Sequence, residues 1–194
     1  MKASILIMVC LLILCLSAGC GRTQSPGISP APTQAPGATN PAGVTPDAVS
    51  SPSVVTDEAA VIKAMGKEGT WIVIFTDNFS TTQELVLEGL YTNGKKDDAG
   101  KDIVQRKIAL YTQDANRNIT NRFTLTAPKL TITSPFASIQ HGTFKGDLYV
   151  SVDNFELVDT TVDGNVYFTT DSAKTTFKMD ANSKVTGKQE IVKQ

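Results

Sequence analysis

Three segments near the C-terminus repeat one another around a glycine. They are Phe144-Lys145-Gly146-Asp147-Leu148-Tyr149-Val150, Val162-Asp163-Gly164-Asn165-Val166-Tyr167-Phe168 and Val185-Thr186-Gly187-Lys188-Gln189-Glu190-Ile191. The glycines lie 18 and 23 residues apart, and a phenylalanine stands nine or ten places before each (Phe136, Phe155, Phe177). Alternation along a strand sorts the side chains into two faces. Phe144, Leu148, Val150, Val162, Val166, Phe168, Val185, Gln189 and Ile191 are expected inward. Lys145, Asp147, Tyr149, Asp163, Asn165, Tyr167, Thr186, Lys188 and Glu190 are expected outward. A repeat of about 20 residues whose inner positions coincide suits successive coils of a β-solenoid, each resting on the last. Gln189 interrupts the apolar set in the final repeat, where a polar cap is wanted.

Upstream, the pattern is also one of strand and turn. Trp71 to Phe75 is apolar on both faces and reads as a buried strand. Segments 84–88, 106–111, 122–126 and 129–133 alternate apolar and polar residues and are rich in Thr and β-branched types. The polar stretches Thr92 to Lys101 and Gln113 to Asn118 are expected as solvated loops. Before all of these, Thr56 is the expected N-cap of a short helix, with Asp57 and Glu58 in its first turn and Val61, Ala64 and Met65 on its apolar face. Gly66 and Gly69 end it. The whole is therefore expected to be all-β: a short single-stranded β-solenoid with an N-terminal capping helix over residues 56–194. An antiparallel β-sandwich is the alternative.

A helix over 57–65 followed by the doubly apolar strand 71–75 and the coil-length repeat resembles the right-handed parallel β-helix proteins of pectin-lyase-like architecture. The resemblance is one of pattern over roughly residues 57–191, with no catalytic motif attached. It implies a helix covering the open end of the first coil. It also implies, as an alternative function, a polysaccharide-cleaving, lyase-type enzyme using clustered acids, calcium and a basic proton acceptor.

The N-terminal part follows other rules. Lys2, an apolar run from Ile5 to Leu16 and the small residues Ser17-Ala18-Gly19 have the layout of a secretory signal peptide, expected over 1–19. The apolar run is shorter than the roughly 18 to 20 residues of a membrane-spanning helix. Leu16-Ser17-Ala18-Gly19-Cys20 resembles the bacterial lipobox, with Ser17 where that motif more often has Leu. The resemblance implies cleavage before Cys20 and acylation of its thiol, palmitate-type chains included. Membrane lipid is thus the expected partner, and the extracytoplasmic face of the envelope the expected location. The remaining cysteines, Cys10 and Cys15, fall inside the leader, so the mature chain has no disulfide to form. Residues 20–55 hold seven of the nine prolines among Thr, Ser, Ala and Gly, and are expected to be a disordered tether.

Loss of Lys2 with the leader leaves 17 basic side chains against 19 acidic ones. That balance has no basic footprint, and no nucleic-acid partner is expected. No catalytic residue and no cofactor is assigned. His141, the single histidine, stands between Gln140 and Gly142 in a turn-like stretch and is expected at the surface. No nucleophile elbow, zinc motif or phosphate-binding glycine loop is present. Asp147 and Asp163, outward beside Lys145, Asn165 and Lys188, are weak calcium candidates. Tyr149 and Tyr167 share an outward column and are candidates for stacking against sugar rings. The preferred reading is a non-catalytic structural or glycan-binding module of the cell envelope, with envelope polysaccharide as a candidate partner.

Overall fold

A computed structural model describes residues 53–192, so the expected leader, Cys20 and the stretch up to residue 52 lie outside the described part. Among the described residues no helix is long and apolar enough to cross a membrane. The chain runs through β1 (Ser53–Val55), α1 (Glu58–Met65), β2 (Ile72–Phe75), β3 (Phe79–Ser80), β4 (Leu85–Leu87), β5 (Thr92–Lys96), β6 (Asp102–Val104) and β7 (Arg106–Ala109). It continues through β8 (Tyr111–Gln113), β9 (Ile119–Arg122), β10 (Thr124–Ile132), β11 (Ala137–Gln140), β12 (Thr143–Val150) and β13 (Glu156–Val158). Last come β14 (Thr161–Asp163), β15 (Val166–Phe168), α2 (Asp171–Thr176), β16 (Lys178–Met179), β17 (Lys184–Val185) and β18 (Gln189–Ile191).

The fold is mostly β, in two large sheets whose ladders are parallel throughout. One sheet has the order β1-β2-β7-β11-β13-β16. In the other, β3 and β4 lie on β10, β10 on β12, and β14 with β15 on the far side of β12. β17 and β18 complete it. The antiparallel sandwich does not describe these sheets. Antiparallel pairing is confined to two hairpins, β5 with β6 and β8 with β9. The polar stretch from Thr92 is thus a hairpin arm, exposed as expected, and not a plain loop.

The glycine-centred repeat sets the register. Phe144 pairs with Val162, Leu148 with Val166, Val150 with Phe168, and then Val162 with Val185 and Phe168 with Ile191. The same columns extend upstream, with Leu125, Leu130 and Ile132 beside Phe144, Leu148 and Val150. All of the expected inward residues of the first two repeats are fully buried. Val185 is half-buried, whereas Gln189 and Ile191 are exposed. Each large apolar side chain so buried contributes about 1.5–3 kcal/mol. Gly146 has φ +139°, and a Cβ there would stand 1.9 Å from the Ala127 carbonyl oxygen on the adjacent strand. Only glycine lets the two backbones approach that closely.

Several expectations need correction. The cap of α1 is Asp57, whose carboxylate accepts from the Ala60 N–H at 2.8 Å, and not Thr56. Asp57 has both the acceptor and the negative charge that a helix N-terminus favours. Ser53–Val55, placed in the tether by composition, is a strand on β2. Segment 106–111 divides at Leu110, and segments 122–126 and 129–133 join as one strand with a register shift between Thr126 and Lys129. Residues Asp171–Thr176 form the helix α2, capped by Thr170, although threonine favours strands. Phe136, which precedes its glycine as Phe155 does, is not buried as Phe155 is. It is half-exposed at φ +53°, and Ala137, one residue before the Ser138–Glu156 pair, takes the place that Phe155 holds in the next strand.

Ala137 in turn pairs with Arg106, a fully buried cation inside the core. Its Nη2 donates to the carbonyls of Ala64 at 2.7 Å and Gly66 at 3.3 Å, at the end of α1 where the helix dipole is negative. The guanidinium lies over the Tyr91 ring, 4.1 Å from its centroid, and the Tyr91 hydroxyl donates to the Gly66 and Lys67 carbonyls. Burial pushes the Arg106 pKa down, with Tyr91 and Glu88 opposing that shift. Its Nε and Nη1 have no hydrogen-bond partner among the described residues. Arg106→Ala should therefore cost about 3–5 kcal/mol in urea denaturation, by stranding helix carbonyls and opening a void. Arg106→Met should cost less than about 2 kcal/mol, because it fills the space without a buried charge. A methionine variant as unstable as the alanine variant would contradict this account.

Candidate functional site

The outer face of the second sheet carries the residues singled out by the repeat. Along one column stand Val86, Thr131, Tyr149, Tyr167 and Glu190, held one strand apart by the parallel register. The Tyr149 and Tyr167 rings are 4.9 Å apart between centroids and tilted by 39°. Lys129 Nζ lies over the Tyr149 ring, 4.9 Å from its centroid, so a face of that ring is already occupied. Desolvation, followed by the nearby Asp147 charge, pushes the Tyr167 phenol pKa up.

A polar row runs beside the tyrosines. Glu84 pairs with Lys129 at 3.2 Å, and Lys129 is in register with Asp147. The Asn165 amide donates to Asp147 Oδ1 at 2.9 Å, and the Lys188 backbone N–H donates to Asn165 Oδ1 at 3.0 Å. A second row places Lys145 3.7 Å from Asp163, whose other carboxylate oxygen accepts from the Thr186 hydroxyl. The two calcium candidates, Asp147 and Asp163, therefore sit in separate rows, each engaged with a side chain of a neighbouring strand. Among the described residues no group of three or more His, Cys, Asp and Glu side chains is placed to hold a metal ion.

Sequence reasoning missed a second cluster, at the turn after β11. His141 Nδ1 lies 3.1 Å from Asp159 Oδ2, and the Tyr111 ring meets the imidazole edge-on at 4.6 Å. Arg122 Nη2 donates to the same Asp159 oxygen, while the Asp159 N–H donates to the Asp180 carboxylate. His141 is only partly exposed, not a free surface residue. Both His141 and Asp159 hold positive φ. The signal was available, because 18 residues separate His141 from Asp159, as they separate Gly146 from Gly164.

The electrostatics of this second cluster point one way. The Arg122 hydrogen bond, then that of His141, holds the Asp159 carboxyl below its usual range, and the Ser183 hydroxyl does the same for Asp180. Asp114, in the β8–β9 turn, is lowered by Asn118. Carboxyls shifted in that direction are ionised at neutral pH, the opposite of what a general acid requires. No family model, curated protein or solved structure matches the chain. The reading of this surface rests on its own geometry. Shallow depressions of about 210 to 360 Å³ are found elsewhere, for example along β1 and α1 and between Phe136 and Glu156.

Proposed function

We propose that the chain is an exported lipoprotein, held on the extracytoplasmic face of the envelope by acyl chains on Cys20. Its folded part is a short β-solenoid of the right-handed parallel β-helix kind, acting as a non-catalytic structural or glycan-binding module. The solenoid reading is supported by chain order: β10 to β18 visit the two sheets in turn, and each strand pairs with the one a repeat later. The single observation that carries the module reading is the paired tyrosine column beside a row of polar side chains, Glu84 with Lys129 and Asp147 with Asn165. Such a face offers hydroxyls and ring edges with donors and acceptors one strand apart, about 4.8 Å. It suits a hydroxyl-rich polymer lying across the strands. The lyase alternative is disfavoured because its calcium candidates, Asp147 and Asp163, stand in separate rows, each already engaged by a neighbouring side chain.

The test is retention on immobilised envelope polysaccharide. Tyr149→Ala with Tyr167→Ala should lower retention about tenfold or more while the protein still melts cooperatively. A folded double variant that is retained as well as the parent overturns the glycan reading.

A further inference from the structure

The two ends of the folded part are finished differently. At the start, α1 turns Val61, Ala64 and Met65 onto the core and buries them. At the other end β16, β17 and β18 each have a ladder partner on one side only, among the described residues. Gln189, Glu190 and Ile191 are all exposed, and Phe177, Met179 and Val185 are only partly covered. A free parallel edge with apolar side chains behind it is a template for another strand.

We propose that this edge is the interface of a two-fold dimer, in which β18 pairs antiparallel with β18 of a second copy about an axis at Gln189. The charge pattern chooses both the occupant and the centre. Antiparallel partners share a face, so an axis at Gln189 sets Lys188 opposite Glu190 twice and Gln189 against its counterpart. An axis at Glu190 would set two carboxylates face to face, which is destabilising. Within one chain Lys188 Nζ already lies 3.5 Å from Glu190 Oε1. The dimer therefore closes a ring of four charges of alternating sign. Stacking of this edge on the opposite end of another copy would require α1 to leave its place, and the two-fold arrangement does not.

The test uses the full chain in membranes with Gln189→Cys and a short bis-maleimide. A cross-linked dimer is expected for Gln189→Cys and not for Asp98→Cys in the β5–β6 hairpin. Adding Glu190→Lys should cut the yield about tenfold, and Lys188→Glu together with Glu190→Lys should restore it. Restoration by the double reversal separates pairing from misfolding, because a merely damaged strand would not recover. A yield no higher than the Asp98→Cys control, or one indifferent to the single reversal, overturns the dimer.

Discussion

Gly146→Ala should destabilise the protein by at least about 3 kcal/mol, while Gly100→Ala should cost only about 1 kcal/mol. Both glycines have positive φ, so both substitutions place an alanine in a backbone conformation that L residues avoid. They differ in what the new methyl group meets. At Gly100 nothing lies within 4 Å, whereas at Gly146 the methyl carbon would be 1.9 Å from the Ala127 carbonyl oxygen. Backbone cannot rotate away as a side chain can, so β10 and β12 must separate where the columns of buried apolar residues are continuous. The damage should spread to the next strand, because Gly164 sits against Gly146 in the same way. Urea denaturation of the two variants checks this. Equal losses would mean that backbone strain alone, and not the approach of neighbouring strands, sets the requirement for glycine.

The repeat was legible in the sequence because period-two alternation and a fixed glycine are both local signals. The observed pairs Phe144–Val162, Tyr149–Tyr167 and Phe168–Ile191 follow from aligning the three glycines. The upstream strands obey the same columns but hide them. Ala127-Pro128 stands where Gly146 would be, with one residue extra, and the alignment breaks there. Arg106 was illegible for a different reason. A charge in an inward column looks like an error until the carbonyls of Ala64 and Gly66 are seen to accept from it. Phe136 precedes its glycine by ten residues where Phe155 precedes its own by nine, and that one-residue difference puts it out of phase with Phe155. Of the candidate site, the tyrosine column was readable and its occupied ring face was not, since Lys129 lies one strand back.

Cys20→Ala should move the protein from the membrane fraction to the soluble fraction. Under the proposed anchoring, two or more acyl chains on one cysteine hold the chain at the bilayer. At about 0.8 kcal/mol per buried methylene, each long chain contributes about 10 kcal/mol, and two give stable attachment where one does not. Among the described residues no helix is long and apolar enough to cross a membrane. The variant should keep the fold, because position 20 is well before β1. Fractionation that stays unchanged would mean that something other than lipid on this thiol retains the protein.

Mass spectrometry of the N-terminal peptide, taken from protein extracted from membranes, addresses the anchor without any mutation. The proposed account requires that peptide to begin at Cys20 and to carry the added mass of acyl chains. A mature chain that begins elsewhere, or a Cys20 recovered with an unmodified thiol, would contradict it.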